Sequence, residues 1–346
     1  VIEKRHKEVK PRMNLKSKLV ITGAAGFIGA YWVRFLLESG RAQLEDLCLV
    51  DTPEAFEKRL AIKQTIGDFS KVIVFSPEEF EGSVLNNTLS FRPSTVFHFG
   101  ASSSTEEMRL EFLKRWNVEY SKNIWTYCAS HKIPLVYASS AATYGGGEMG
   151  FSDAPEKFSM LKPLNPYGES KLIFDIWAHA ESKKGLAPPI WAGLRFFNVY
   201  GPGEEHKGNQ ASVVVHARKQ ILETGTLKLF ESHRQGIAHG QQKRDFIFVE
   251  DLCRVSQFFV WGFPKYSGIF NVGTGEARTF EDLAKACFAC LNVPVRISYI
   301  PTPEKLRPHY QYFTQADLNR LRGAGFHEAF TRLEEGVLKT LQNYYG

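Results

Sequence analysis

The run Lys18-Leu-Val-Ile-Thr22, followed at once by Gly23-Ala-Ala-Gly26-Phe-Ile-Gly29 and an amphipathic stretch to Ser39, narrows the possible folds more than any other segment. It predicts a buried strand, a tight glycine turn and a helix, with Gly40 as the stop. The pattern then recurs. Leu47–Asp51, Val72–Phe75, Thr95–Phe99, Leu135–Ala138 and Ile190–Phe197 read as further strands, with helical stretches between several of them. Strands that are apolar on both faces and separated by helices imply a parallel sheet covered on both sides. The expected fold class is α/β, a doubly wound parallel sheet with a smaller C-terminal α/β lobe.

The rhythm changes after Phe197. Gly201-Pro-Gly203 opens a polar, irregular stretch that runs to Gln242. Arg244–Val249 and Gly268–Val272 read as late strands returning to the main sheet, and helix and short strand alternate from Thr279 onward. The expected division is a basic, flexible arm over 1–17, a sheet domain over 18–197 plus 244–275, and a second lobe over 198–243 plus 276–346. Ser232–Gln242, rich in His, Gln and Gly, reads as a mobile surface insertion.

A chain of 346 residues is long enough for this arrangement, and its apolar (43%) and charged (23%) fractions are those of an ordinary globular protein. Much of the net charge of +6 sits in the first 18 residues, so no nucleic-acid partner is expected. No apolar run reaches the length of a membrane span, and the basic start lacks the hydrophobic region of a secretory signal. The expectation is a cytoplasmic protein without a membrane partner. Cys287 and Cys290 form a C-x-x-C pair inside an apolar helical stretch with no second pair nearby. They read as reduced core thiols, and no metal site is expected.

Gly23, Gly26 and Gly29 have the spacing of a phosphate cradle between strand and helix, the mark of a Rossmann-type dinucleotide site. Gly23 allows the tight turn, Gly26 allows backbone to approach a pyrophosphate, and Gly29 allows close helix packing. Asp51, at the end of the second strand, stands where a carboxylate meets the adenosine ribose. Alone it favours NAD, because it repels a 2′-phosphate. Lys58 and Arg59 could offset that repulsion, so the residues themselves leave NAD and NADP open. Further along, Tyr167-Gly-Glu-Ser-Lys171 places a phenol and an ammonium one helical turn apart. The lysine can lower the tyrosine pKa and hold a ribose hydroxyl. Leu135-Val-Tyr-Ala-Ser-Ser140 ends in hydroxyls that can hold a substrate alcohol beside that tyrosine.

These features resemble the extended short-chain dehydrogenase superfamily, which acts mainly on nucleotide-activated sugars. Ala101-Ser-Ser-Ser-Thr-Glu106, Tyr137-Ala-Ser-Ser-Ala-Ala-Thr-Tyr-Gly145 and Lys162-Pro-Leu-Asn165 are similar to one of its families, the ADP-L-glycero-D-manno-heptose 6-epimerases. So are Phe197-Asn-Val-Tyr-Gly-Pro202, His206-Lys-Gly208, Lys243-Arg-Asp-Phe246 and Phe313-Thr-Gln-Ala-Asp317. The resemblance runs from about residue 18 to the C-terminus. It implies inversion at carbon six of an ADP-activated heptose, by oxidation to a keto intermediate and return of the hydride to the opposite face. In bacteria that sugar enters the inner core of lipopolysaccharide. A tightly held, recycled NADP is implied, as Lys58 matches a family cofactor contact. A homo-oligomer, a pentamer by this resemblance, is implied as well.

The resemblance assigns Tyr167, Lys171, Lys207 and Ser140 to catalysis, Ser140 being preferred to Ser139 by family match alone. It assigns Phe27, Ile28, Asp51, Thr52, Lys58, Gly100, Ala101, Ser103, Asn117, Lys171 and Val199 to the cofactor, beside the three glycines. Ser103, Asn198, Asn209, His216, Phe230, Glu231, Arg244 and Tyr310 fall to the substrate. Two departures stand out: Asn209 replaces a family serine, and Ser232–Gln242 is longer than usual. The rival readings are a 4-epimerase or 4,6-dehydratase on the same scaffold, and a non-catalytic cofactor-binding regulator. Ala141-Ala-Thr-Tyr144 lacks the acidic pair of a dehydratase, and the intact Tyr167 and Lys171 argue against a regulator.

Overall fold

The computed structural model describes residues 17–343. Of the arm expected over 1–17, all but Ser17 lies outside the described residues. In chain order the first strands are β1 (Ser17–Thr22), β2 (Leu47–Val50), β3 (Ile73–Phe75), β4 (Arg92–His98), β5 (Leu135–Ser140) and β6 (Trp191–Phe196). The later strands are β7 (Asn198–Tyr200), β8 (Leu227–Phe230), β9 (Lys243–Phe248), β10 (Gly268–Val272), β11 (Ala277–Thr279) and β12 (Ile297–Ile300).

Seven strands form a parallel sheet in the order β10-β6-β5-β4-β1-β2-β3. Alternation along each strand divides its side chains between two cores. Leu19, Ile21, Leu47 and Leu49 pack on one face with Trp32 and Phe97. Val20, Cys48, Val50 and Val96 pack on the other with Trp125 and Tyr137. This two-sided burial is why the strands read as continuous apolar runs, and it gives the doubly wound Rossmann-type fold expected from them. The strand order runs outward from β1 in one direction and from β4 in the other. The crevice at their carboxyl ends is therefore the switch point where such sheets bind ligands.

One late strand departs from expectation. β10 joins the main sheet beside β6, but β9 does not. It pairs in parallel with β7 and antiparallel with β11, forming a separate three-stranded sheet. The reason is local: only Phe197 separates β6 from β7, so the chain runs on past the carboxyl end of β6 and offers β9 an edge there. β8 and β12 make a two-stranded parallel ribbon. A third core holds this lobe together, with Tyr200, Leu229, Phe246, Phe288 and Val337 at its centre. Phe27, the first residue after the glycine turn, is buried in that third core and so ties the turn to the second lobe.

The Ser232–Gln242 insertion folds into a turn at the surface. Gly236 and Gly240, with φ of 81° and 74°, turn the chain back on itself. The Ser232 N–H donates to His239 Nδ1 at 2.9 Å and the His233 N–H to the Tyr312 hydroxyl at 2.8 Å, which closes the loop and fastens it to the lobe. Cys287 is buried in the third core on the Phe280–Cys290 helix, and Cys290 is half-exposed on the same helix. Among the described residues no helix is long and apolar enough to cross a membrane.

Candidate active site

The glycine turn sits at the switch point. Gly23 has φ of 68°, and a Cβ there would lie 2.7 Å from the Gly100 Cα in the loop after β4. A Cβ on Gly29 would collide with the Gly23 carbonyl oxygen. Gly26 begins the Phe27–Glu38 helix in extended conformation, with no side chain capping the first turn. That leaves helix N–H groups for a ligand, and a Cβ-free cradle with an uncapped helix start fits a dinucleotide pyrophosphate.

Asp51 contributes to the turn itself. Its carboxylate accepts from the Ala25 N–H at 2.9 Å and the Thr52 N–H at 2.8 Å, and it lies 3.9 Å from the Arg59 guanidinium. Burial raises its pKa, against those bonds and that cation. Thr52 caps the Pro53–Lys58 helix through the Ala55 N–H. Lys58, assigned to the cofactor, is exposed, whereas half-buried Arg59 turns inward toward Asp51 and Gly26.

Beyond the turn lies a cavity of about 400 Å³. Ser140, Tyr167, Lys171 and Lys207 all line it, and so do Ala101, Ser103, Asn198 and Val199. Tyr167 and Lys171 stand on the Pro166–Lys183 helix, which starts on a Pro and is capped by Asn165 through the Gly168 N–H at 2.8 Å. Gly168 is required here, since a Cβ would sit 2.7 Å from the Ala142 carbonyl oxygen. The close approach brings the helix start against the turn that carries Ser140, whose hydroxyl accepts from the Ala142 N–H at 3.1 Å and lines the same cavity as Tyr167. Burial raises the Tyr167 pKa, and the neighbouring Ser140 hydroxyl opposes that rise. Lys171 follows one helical turn on, on the same helix. Its ammonium donates to the Ala138 carbonyl at 3.0 Å and stands 6.0 Å from the Tyr167 ring centre. Burial brings the Lys171 pKa down to about 8, with Asp175 opposing.

Lys207 stands on the Glu205–Gln210 turn, beyond β7. Its ammonium lies 4.3 Å over the Phe27 ring and 4.0 Å from buried Glu204. Burial lowers its pKa, Glu204 opposes, and Arg59 adds to the lowering. Glu204 is fixed by the Gly201 N–H and by the Ser212 N–H and hydroxyl. His206 bonds the Gly203 carbonyl at 3.1 Å.

Other assigned residues lie elsewhere. Phe27 is buried beneath Lys207, and Ile28 packs half-buried between two cores. The Gly100 N–H donates to the Thr22 hydroxyl. The Asn117 amide is engaged by the backbone of Ser102 and by the Ser170 hydroxyl, so Asn117 presents the 100–103 loop to the cavity rather than its own side chain. Arg244, expected to grip a diphosphate, is buried between Phe280 and Tyr310 and donates to the Lys243 and Gln311 carbonyls. Burial lowers its pKa to about 10. His216 is half-buried on the Val213–Thr224 helix, and Phe230 and Glu231 are half-buried at the end of β8. The Asn209 side chain lies outside the described residues.

Sequence reasoning missed Glu204, Asp175 and Arg195. Asp175 and Arg195 are both fully buried and paired at 2.8 Å. Asp175 lies four residues beyond Lys171 on a helix face that otherwise buries Leu172, Phe174 and Ala178, a signal that was readable. Arg195 stood out as the one charge within the buried Trp191–Phe196 run. Glu204 sits in a polar stretch with no pattern to mark it.

A fold of this kind, with a phosphate cradle and a tyrosine–lysine pair on one cavity, defines a nicotinamide-type site. The family described as NAD dependent epimerase/dehydratase matches residues 19–273. A Fusobacterium nucleatum ADP-L-glycero-D-manno-heptose-6-epimerase is 40% identical over 94% of this chain and 97% of its own length. A Nitratidesulfovibrio vulgaris protein of the same name is 41% identical, with the same coverage. The crystal structure of the Helicobacter pylori ADP-L-glycero-D-manno-heptose-6-epimerase superposes with a TM-score of 0.75 at 25% identity, covering 98% of each chain. The chain belongs to the NAD dependent epimerase/dehydratase family and, within it, to the ADP-L-glycero-D-manno-heptose-6-epimerases.

Proposed function

We propose that this chain converts ADP-D-glycero-D-manno-heptose to ADP-L-glycero-D-manno-heptose by transient oxidation at carbon six. The observation that carries the reading is the meeting of Tyr167 and Lys207, from the Pro166–Lys183 helix and the Glu205–Gln210 turn, on one cavity beside the glycine cradle. Inversion by oxidation and reduction needs a proton removed from and returned to the sugar hydroxyl in two orientations, so two acid/base groups are useful. A nicotinamide cofactor, held at the glycine cradle beside Asp51 and Arg59, would supply the hydride-transfer chemistry.

Tyr167 takes and returns the hydroxyl proton in one orientation, with Ser140 holding both the phenol and the substrate oxygen. Lys171, cationic below about pH 8, stabilises the phenolate when its ammonium turns from the Ala138 carbonyl. Lys207 serves the second orientation, because burial makes its neutral amine accessible. The curated relatives at about 40% identity support the substrate. NADP is our choice of cofactor, and Arg59 supports it. Its guanidinium stands beside Asp51 and Gly26, where a 2′-phosphate needs a cation to offset the carboxylate. The homo-oligomeric state is part of the same reading.

The test is incubation of purified protein with ADP-D-glycero-D-manno-heptose, without added cofactor, and resolution of the two epimers. Conversion toward the L-glycero form supports the reading. No conversion, even with NADP and NAD supplied, overturns it.

A further inference from the structure

A buried hydrogen-bond chain runs from the cofactor turn to the backbone of Tyr167. It begins at the Gly100 N–H, which donates to the Thr22 hydroxyl at 3.0 Å. Thr22 Oγ1 lies 2.7 Å from His98 Nδ1, and His98 Nε2 lies 2.8 Å from the Ser121 hydroxyl. Ser121 donates to the Asn117 carbonyl at 2.9 Å. The Asn117 amide then donates to the Ser170 hydroxyl at 2.9 Å, and Ser170 donates to the Tyr167 carbonyl at 2.7 Å.

The proton directions follow from valence. Ser121 has one hydroxyl proton and gives it to Asn117, so it accepts from His98 Nε2–H. His98 Nδ1 is then bare and accepts from Thr22, whose oxygen takes the Gly100 N–H. Every donor from Gly100 to the Asn117 carbonyl points the same way, the arrangement in which successive hydrogen bonds strengthen one another. His98 must be neutral for this, and burial, with help from the Lys171 charge, holds its pKa at about 3. The chain crosses four elements: the ends of β1 and β4, the helical segment holding Asn117 and Ser121, and the Pro166–Lys183 helix. Residues Lys114–Glu119 wind as a π-helix, which is uncommon within helices and frequent at functional sites. Asn117 also clamps Ser102 in the loop that lines the cavity, so the same residue faces both ends of the chain.

We propose that Thr22, His98, Ser121, Asn117 and Ser170 are positioning residues that fix the cofactor turn and the 100–103 loop relative to Tyr167. The inference rests on the reading of Tyr167 as an acid/base group. His98 is the keystone, but replacing it risks the fold, so the test uses the two ends of the chain. Thr22→Val, Ser170→Ala and the double variant are compared for NADPH affinity, by fluorescence titration, and for kcat in the epimerase assay. Melting temperature is recorded in parallel. Loss of one hydrogen bond of about 1 kcal/mol weakens a coupled function roughly fivefold. The expected result is a loss of about fivefold in each single variant and scarcely more in the double, because one cut already severs the chain. Single losses that multiply to about 25-fold in the double overturn the proposal. So does a lowered melting temperature with affinity and kcat unchanged. The titration does not use the heptose, so the proposal stays testable if the assigned substrate is wrong.

Discussion

Removing the Asp175 carboxylate gives the sharpest stability prediction. Asp175 and Arg195 are both 0% exposed. Asp175 accepts from Arg195 Nε at 2.8 Å, the Ser139 hydroxyl at 2.9 Å and the Tyr137 hydroxyl at 3.1 Å, joining the Pro166–Lys183 helix to β5 and β6. Arg195 in turn donates to the Tyr144 hydroxyl at 3.1 Å. Asp175→Ala leaves a guanidinium uncompensated in a dry interior, which costs about 3–5 kcal/mol. Total stabilities are only about 5–15 kcal/mol, so this is a large fraction. In urea, with an m-value on the order of 4 kcal/mol/M for a chain of this size, the unfolding midpoint falls by about 1 M. Asp175→Leu combined with Arg195→Met removes both charges and recovers at least half of that loss, because the cost lies in the orphaned ion rather than in a missing attraction. A midpoint shift below about 0.5 M for Asp175→Ala, or a double variant no better than the single, refutes the reasoning.

Tyr167→Phe and Lys207→Met should each lower kcat by about 10²- to 10⁴-fold while NADPH still binds, checked by steady-state rates and fluorescence titration. Near-normal turnover in either variant removes that residue from the acid/base pair. Arg59→Ala should weaken 2′,5′-ADP binding by about 10- to 100-fold and leave 5′-AMP binding unchanged, as read by calorimetry. Equal losses for both ligands would assign Arg59 to the shape of the turn instead. His98 binds its proton at about pH 3 in the folded chain and near 6.5 when unfolded, so the unfolded state holds more protons between those values. Its contribution is complete above about pH 6.5 and is lost as pH falls toward 3, by about 1.4 kcal/mol per unit from this group alone. A His98 ring resonance that titrates between pH 7 and 5 in the folded protein would contradict that burial.

The sheet was legible because its strands are buried on both faces, and runs such as Leu47–Val50 carry that signal without help from context. The glycine turn and Tyr167–Lys171 were legible because chemistry restricts which residues can stand there. β9 was misplaced because Arg244–Val249 is apolar enough for either sheet, and only the short step from β6 to β7 decides which edge it meets. The Ser232–Gln242 loop could be read only by its composition, while its contacts with Tyr312 and the His239 ring are matters of distance that no local pattern reveals. Arg244 was assigned to a diphosphate by position; its place between Phe280 and Tyr310 and its bonds to the Lys243 and Gln311 carbonyls had no local signal. The His98 chain had no readable trace, since its members are scattered from Thr22 to Ser170.

The pairing of β10 with β6 has a consequence during synthesis. Gly268 aligns with Ala192, so the last strand of the main sheet is made about 76 residues after the neighbour it covers. At about 5–20 residues per second, β6 waits roughly 4–15 s on the ribosome with one edge open. Open edges of apolar strands are templates for foreign strands. While the ribosome translates the second lobe, then, the nascent chain passes through a window in which a chaperone, or a neighbouring nascent chain, can reach β6 before its own partner does.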